Sequence, residues 1–340
     1  MDTLTHALSG ALVAQACSSE KRGAIDTKAR IAIGMAAAAF PDIDFFVRFI
    51  DTLTYLNTHR GITHSFLMLP LWALLLSYLF HQLTKRRYAY WQLYKIVVLC
   101  LTVHILGDLL TPYGTKIFSP LSDAAYSFNT TFVIDGWLTL IIIIGLWLSL
   151  KHHHPYQYTV TTCAVIVSYI GLQWFQQQRA EELGQRYIAQ LNLPSAELNV
   201  LPQPLSPFNW KVIVKSGKRF HIGHVNLART SAVTTTYQPY LLRLYTQYRA
   251  PDDVVWQQRA QFGDDRHQSV VYEAWQRQAI DAFRHFSHYP ALEKIQENPE
   301  MCIWFVDLRF VFYEMTPPFR FGLCQNQHSL SQWELAELKE

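Results

Sequence analysis

The sequence predicts an α-helical polytopic membrane domain followed by a small α+β soluble domain. Long apolar runs are concentrated before residue 178, whereas the chain after it is mixed and rich in Trp, Tyr and Gln. The short connections between the apolar runs also alternate between basic and nearly neutral. We therefore expect a multi-span membrane domain over residues 1–177 and an extracytoplasmic α+β domain over residues 178–340. The formal net charge of +3 is small, so no nucleic-acid partner is expected.

Six apolar segments are candidates to enter the bilayer, which a helix of about 20 apolar residues can cross. They cover residues 3–17, 31–50, 65–83, 96–111, 132–150 and 158–176. The run from Ile141 to Leu148 contains no charged residue. A succession of such runs is typical of a membrane domain rather than of helices buried in a soluble core.

Basic residues are distributed unevenly among the connections. One set of connections contains Lys21, Arg22, Lys28, Arg30, Lys85, Arg86, Arg87, Lys95 and Lys151. The connections that alternate with them contain only Arg48, Arg60 and Lys116. Because basic loops remain cytoplasmic, we expect the N-terminus, residues 51–64, residues 112–131 and everything after residue 177 to lie outside the cytoplasm.

The C-terminal half has strand and helix patterns. Trp210–Val214 and Arg219–Gly223 flank a Ser-Gly-Lys turn, which predicts a β-hairpin. Residues 270–287 predict an amphipathic helix, and Cys302–Tyr313 predicts a further strand that Asp307–Phe310 interrupts.

Smaller features of this half also carry expectations. The prolines at 202, 204 and 207 are expected to mark the start of the sheet. His221 and His224 alternate along a strand-like stretch and are expected at the surface. Cys302 and Cys324 are expected to pair as a disulfide if this half is extracytoplasmic.

Ionisable side chains recur in the apolar segments, where they are costly and usually functional. The candidates are His6, Asp42, Asp44, His59, His64, His104, Asp108 and Asp135. By the predicted topology, each lies at the outer end of its segment, so all of them would collect in one outer layer. Polar residues with unrelated structural roles would not be expected to share one side of the membrane.

The spacing of these residues favours a metal site. His104 and Asp108 are four residues apart, so they project from one helix face and can grip one ion. Pro41 interrupts its helix and would expose Asp42 and Asp44 to a wet cavity. Mixed imidazole and carboxylate ligands favour a divalent metal, with zinc first and manganese or iron as alternatives. The number of candidates exceeds one tetrahedral site, which indicates two ions or one ion with a surrounding layer of supporting residues.

Structural interpretations compete at several positions. A lone intramembrane histidine such as His6 more often makes an interhelical hydrogen bond than it binds a metal. Asp135 is as consistent with capping the fifth helix as with a catalytic or ligating role. Arg60 is consistent with a clamp on a phosphate oxygen or with an anchor at the membrane interface.

Four motifs in the first half resemble a known family. They are Asp2-x-x-Thr5-His6, Pro41-Asp42-Ile43-Asp44, His59-Arg60-Gly61-Ile62-Thr63-His64-Ser65 and His104-x-x-x-Asp108-x-x-Thr111-x-x-Gly114. In this order they resemble the YdjM-like family of bacterial inner-membrane proteins, which are regarded as metal-dependent hydrolases. The resemblance is strongest over residues 1–150. It implies a multi-pass protein of the bacterial cytoplasmic (inner) membrane.

Together these observations favour a metal-dependent hydrolase that acts on phosphate esters of phospholipids or lipid-linked substrates at the outer face of the membrane. The ligand candidates are His59, His64, His104 and Asp108, with Asp42, Asp44 and His6 completing the site. The candidates for catalytic roles are Asp42, Arg60 and Asp135.

Three other functions remain as alternatives. A metal-ion or proton transporter predicts polar residues at several depths and repeated halves, and neither pattern is present. A membrane-anchored binding or regulatory protein would use an apolar patch on the C-terminal domain. Serine catalysis is the weakest alternative, because Ser65 follows His64 without the glycine pattern of a nucleophile elbow.

Overall fold

The chain forms two compact units in a computed structural model that describes residues 1–18, 23–152, 154–193, 195–231, 246–264, 266–297, 300–312, 315–326 and 329–338. The first unit comprises Met1–Ile50, Thr58–Phe175 and Pro202–Pro207. The second comprises Asp51–Asn57, Gln176–Leu201 and Phe208–Glu340. Lys21 and Arg22, which contribute to the predicted topology, lie outside the described residues.

Helices make up the first unit. In chain order they are α1 (Thr3–Ala16), α2 (Thr27–Ala39), a 3-10 helix (Phe40–Phe49), a 3-10 turn (Ile62–His64), α4 (Leu69–Leu83), α5 (Tyr90–Leu109), α6 (Gly136–Lys151) and the first part of α7 (Pro155–Gln190). The short helix α3 (Thr52–Thr58) precedes the 3-10 turn and belongs mostly to the second unit.

The apolar helices differ in their capacity to cross a membrane. Within the described chain, α5 with 20 residues and α7 with 36 are long and apolar enough to do so. The stretch from α3 to the 3-10 turn, taken with α4, would give a third span, but its two parts are bent by 78°. Helices α1, α2 and α6 have 14, 13 and 16 residues. They fall short of the roughly 20 residues that cross a bilayer core, so the six predicted segments are not six equal spans.

The predicted segment 31–50 is not one continuous helix. Helix α2 ends at Ala39, and Pro41 occupies the first turn of the 3-10 helix that follows. Proline lacks a backbone donor and its ring clashes with the preceding turn, which explains the change of helix type. The predicted last segment, residues 158–176, lies within α7, which continues to Gln190.

Helices α1 and α2 pack backbone against backbone at two glycines. A Cβ atom added to Gly10 would lie 2.2 Å from the carbonyl oxygen of Gly34, and one added to Gly34 would lie 2.5 Å from that of Gly10. Small residues at helix interfaces permit this approach in membrane proteins. The contact fixes α1, which carries His6, against α2, which leads directly into Asp42.

Two four-stranded sheets form the core of the second unit. The strands are β1 (Glu197–Pro202), β2 (Asn209–Ser216), β3 (Arg219–Asn226), β4 (Gln257–Ala260), β5 (Pro290–Gln296), β6 (Cys302–Asp307), β7 (Phe321–Asn326) and β8 (Ser329–Glu337). The sheets have the orders β1-β2-β3-β4 and β5-β6-β7-β8. The predicted hairpin is confirmed as β2 and β3, which turn at Gly217 with a φ of +59°. The sheet starts at Glu197, so the prediction that the prolines mark its start is wrong.

The helix predicted over residues 270–287 is broken. It consists of α8 (Gln268–Gln276), a 3-10 turn (Gln278–Ile280) and α9 (Asp281–Phe286). Arg277 causes the break, because its backbone is extended with φ −69° and ψ 143°. Aromatic and aliphatic side chains of both short helices are buried, so the apolar pattern predicted correctly which residues are buried. It was wrong in predicting one continuous helix.

Two predictions for the region after Met301 are confirmed. Strand β6 ends at Asp307, whose carboxylate accepts a hydrogen bond from the backbone N–H of Arg309 at the start of a 3-10 turn. Cys302 and Cys324 face each other on β6 and β7 and form a disulfide. Tyr313, at the end of the predicted strand, lies outside the described residues.

The prediction that His221 lies at the surface is wrong, because its side chain is buried in the first sheet. His224 has its Nε2 atom buried, and it faces Lys211 across β2 and β3. The Lys211 ammonium donates hydrogen bonds to the carbonyl oxygens of Leu308 at 2.9 Å and Val311 at 2.5 Å. Burial lowers the pKa of Lys211 to about 7, although Asp307 opposes this shift. Burial and the charge of Lys211 lower the pKa of His224 to about 3.

The second unit should lose stability as the pH falls from about 6.5 towards 3. The pKa of His224 in the folded state lies below its ordinary value of 6.5, so the unfolded chain binds more protons in this window. The free energy of unfolding then decreases with falling pH by up to about 1.4 kcal/mol per pH unit. This slope is measured by unfolding the full chain in urea at several pH values and using proteolysis to detect the unfolding of the second unit. His224→Gln should flatten it, and the exposed control His285→Gln should not; equal slopes would contradict the prediction.

Candidate metal centre

Four side chains converge in the first unit. Asp42 comes from the 3-10 helix, His64 from the 3-10 turn, and His104 and Asp108 from α5. One potential ligand atom from each of these residues lies within 4.8 Å of the other three. We call these four residues the ligand group. Three of them are fully buried, and only the Asp42 side chain retains some exposure, 11%.

Three atoms of the ligand group face one another without hydrogen bonds. Asp108 Oδ2 lies 3.2 Å from His64 Nε2 and 3.4 Å from His104 Nε2. None of the three atoms has a hydrogen-bond partner among the described residues. Buried polar atoms are normally satisfied, and unsatisfied ones call for an explanation such as an ion. Imidazole nitrogens together with carboxylate oxygens are a donor set that divalent transition metals accept, so these residues fit a metal.

Both histidines of the ligand group have their other ring nitrogen occupied. His104 Nδ1 donates to the carbonyl oxygen of Ala38 at 2.6 Å. His64 Nδ1 donates to Thr63 Oγ1 at 2.9 Å, and the Thr63 hydroxyl donates to Asp44 Oδ2 at 3.2 Å. With the proton on Nδ1, the lone pair of Nε2 points into the ligand group, which is the orientation that metal-binding histidines need.

Asp108 presents its two oxygens to different surroundings. Oδ1 lies 3.0 Å from His6 Nε2 and 2.9 Å from Arg60 Nη2, and it also accepts from the Met1 amino group. Oδ2 is left facing His64 and His104. The His6 ring stacks on the His104 ring with centroids 3.7 Å apart. His6 therefore supports the ligand group from behind Asp108 and is not one of its four members.

Asp44 and His59 adjoin the ligand group. His59 Nδ1 lies 2.8 Å from Asp44 Oδ1, and the backbone N–H of Arg60 donates to Asp44 Oδ2 at 3.0 Å. Thr63 also donates to Asp44, as described above. Both oxygens of Asp44 are thus engaged by protein donors, and the structure places this residue beside His64 as its partner.

Arg60 is buried and acts as the counter-charge of Asp108. Only 3% of the residue is exposed, and Nη1 donates to Thr111 Oγ1 at 2.6 Å and to the Asp108 carbonyl oxygen at 3.3 Å. This position differs from the exposed interfacial anchor that the sequence allowed. The following Gly61 fits a tight loop, since an added Cβ atom would lie 2.8 Å from the Thr58 carbonyl oxygen.

Asp135 lies outside the ligand group and caps α6. Its carboxylate accepts hydrogen bonds from the backbone N–H groups of Trp137 and Leu138. It also accepts from the Tyr169 hydroxyl and from the Gln173 amide. These contacts match the capping interpretation of Asp135. They leave no role in the ligand group for it.

The sequence interpretation missed three supporting threonines. Thr63 links His64 to Asp44, Thr111 holds Arg60, and Thr3 donates to Asp42 Oδ2 at 2.6 Å. Thr63 and Thr111 lie inside the family motifs, beside the histidines and aspartates that drew attention. A hydroxyl at such a position is the signal for a hydrogen bond that orients a ligand.

Comparisons with known proteins bear on the family of the chain. The Bacillus subtilis (strain 168) protein described as "Uncharacterized protein YfhP" is 22% identical over 231 residues, which cover 66% of this chain and 68% of that protein. No solved structure matches the chain. The profile of the family described as "YdjM inner membrane protein" matches residues 1–180, a stretch that includes the whole ligand group. The predicted resemblance is confirmed, and the chain belongs to the YdjM inner membrane protein family.

Proposed function

We propose that this protein is a membrane-bound, metal-dependent hydrolase of phosphate esters carried by lipids or lipid-linked substrates. The observation that supports the proposal is the convergence of His64 Nε2, His104 Nε2 and Asp108 Oδ2, for which the described part of the chain supplies no hydrogen-bond partner. The three carboxylates of Asp42, Asp44 and Asp108 outnumber the two cations at Asp108, the Arg60 guanidinium and the Met1 amino group, and this excess of negative charge favours a bound cation.

The ligand group would hold a divalent ion, with zinc as the first candidate and manganese or iron as alternatives. Such an ion supplies Lewis-acid polarisation of a phosphoryl oxygen and lowers the pKa of a water molecule. Every remaining task falls to the protein. The Ala38 carbonyl and Thr63 orient the two histidines, and Arg60 with His6 holds Asp108 in place.

Asp42 is the member of the ligand group that is open to solvent or substrate. Its Oδ1 atom lies 3.6 Å from His64 Nε2 and 3.8 Å from His104 Nε2, and Thr3 holds its Oδ2 atom. A carboxylate at the opening of the site is placed to receive a proton from an attacking water. We therefore assign proton transfer to Asp42.

Hydrolysis by the purified full-length protein tests the proposal. We expect metal-dependent release of para-nitrophenol from para-nitrophenyl phosphate or from its bis-ester. EDTA should abolish the release, and zinc or manganese should restore it. Protein that contains stoichiometric metal but hydrolyses neither ester, nor short and long alkyl phosphates, would contradict the proposed activity.

We also propose that the second unit lies outside the cytoplasm. The alternation of basic connections supports this orientation. The disulfide between Cys302 and Cys324 supports it as well, because disulfides persist in oxidising compartments. Alkaline phosphatase fused after residue 190 should be active, whereas the same enzyme fused in the Lys85–Arg87 connection should be inactive. A fluorescent cytoplasmic reporter at residue 190 together with an inactive phosphatase there would reverse the proposed orientation.

A further inference from the structure

An open groove of about 480 Å³ lies beside the ligand group in the first unit. Its apolar lining comes from α2, the 3-10 helix and α4, and includes Ala36, Ile43, Phe46, Leu76, Leu79 and Phe80. The polar residues that line it are Thr3 and Asp42. The volume falls within the range of ordinary small-molecule sites.

Asp42 belongs to both the groove and the ligand group. Its Oδ2 atom accepts the hydrogen bond from Thr3, and its Oδ1 atom faces the two histidines. The other three members of the ligand group are fully buried. An ester that reaches the centre past Asp42 would therefore have its organic substituent next to the apolar walls of the groove.

The walls of the groove are unusually exposed for apolar side chains. Ile43 is 51% exposed, Phe46 67% and Leu79 48%. In a member of an inner-membrane family, lipid chains are the apolar material available to such walls. Lipid tails are as apolar as leucine, so the groove gains little from burial alone. Its contribution is to position the chain, because the attached phosphate head group would then lie beside the cation that the ligand group would hold.

We propose that this groove binds the acyl or alkyl chain of the substrate and makes the centre selective for long-chain amphiphilic phosphate esters. The inference rests on the proposed hydrolase function and adds the surface that would bind the apolar part of its substrate. Binding of the chain would orient the ester. The apolar residues that would bind the chain are not among the ligands that would hold the ion.

Filling the groove tests the inference, with a matched control on the same helix. Ala36 is an exposed residue of α2 that lines the groove, and Ala32 is an exposed residue one turn earlier that does not line it. Ala36→Trp should obstruct the groove, whereas Ala32→Trp adds the same side chain outside it. Equal metal content in both variants and in the wild type would show that the ligand group is intact. Ala36→Met provides a smaller filling residue if the tryptophan prevents folding.

The first readout does not depend on turnover. Hexadecyl phosphate with a diazirine at the end of its chain is photolysed with EDTA-treated full-length protein, and labelled peptides are identified by mass spectrometry. We expect labels on the 3-10 helix and α4 in the wild type and in Ala32→Trp. We expect roughly tenfold less in Ala36→Trp, because the indole occupies the space in which the chain would be positioned; that factor corresponds to about 1.4 kcal/mol. Equal labelling in both variants would overturn the inference, as would labels in the wild type that lie only outside the 3-10 helix and α4.

The second readout is the ratio of kcat/KM for hexadecyl phosphate to that for butyl phosphate. Ala36→Trp should lower this ratio roughly tenfold, and Ala32→Trp should leave it unchanged. The same ratio in all three proteins would also overturn the inference. The two possible failures are distinct. Groove labelling without any hydrolysis by the wild type contradicts the hydrolase alone, whereas hydrolysis of both esters without groove labelling contradicts the groove alone.

Discussion

Replacing His104 with alanine should remove the bound metal while leaving membrane insertion intact. His104 contributes one of the buried atoms that have no hydrogen-bond partner in the described ranges of the chain, and insertion depends on apolar length rather than on this side chain. We expect affinity for the ion to fall by more than the roughly 10–100-fold seen when a partner of a ligand is lost. A purely structural role for His104 predicts little change in stability, because the substitution takes a costly polar group out of an apolar helix.

Asp108→Asn should fail as severely despite its nearly identical shape. A neutral amide is a poor ligand for zinc and related ions, and the change would also deprive the buried Arg60 of its anionic partner. Metal content per protein distinguishes the two interpretations in the wild type, His104→Ala and Asp108→Asn. His285→Ala, at an exposed position of α9, is the control, since the buried His221 is unsuitable as one. Equal metal content in all four proteins would contradict the proposal of a metal centre at these residues.

Gly34→Val should separate α1 from α2 and thereby disrupt the ligand group, although Gly34 is not one of its members. The first side-chain atom added at Gly34 would lie 2.5 Å from the Gly10 carbonyl oxygen and 2.7 Å from the Ala14 Cβ atom. Neither contact can be relieved by rotating a flexible side chain, so the helices must move apart. We expect a loss of stability of about 3 kcal/mol or more. Metal should be lost as well, since the Ala38 carbonyl lies on α2 and His6 lies on α1.

Thermal unfolding and metal content of the detergent-purified protein measure both effects. Gly171→Ala in α7 is the matched control, because no atom of the residues that the structure describes lies within 4 Å of the atom that it adds. A glycine-to-alanine change at an open helical position is expected to stabilise by about 0.5–1 kcal/mol. A Gly34→Val protein that melts with the wild type and keeps its metal would show that the close contact of α1 and α2 is dispensable.

Local features of the fold could be predicted from the sequence. A break within a helix and the buried face of a strand could not. The hairpin of β2 and β3 follows from alternating side chains around Gly217, all within a few residues. The helix predicted over 270–287 failed at Arg277, whose extended backbone has no signal in the apolar pattern. The surface position predicted for His221 failed because alternation shows which residues share a face, not which face is buried.

The membrane character of the first half and the residue types of the candidate centre follow from the amino-acid sequence alone. Both follow from composition, because the length of the apolar runs governs insertion and the imidazole and carboxylate groups determine which ions can bind. The separate roles of those residues depend on the tertiary structure. It left Asp108 Oδ2 facing the histidines, gave Oδ1 to Arg60 and His6, and assigned Asp135 to a helix cap. These assignments depend on atoms that are distant along the chain, and the packing of α1, α2 and α5 brings them within a few ångströms of one another.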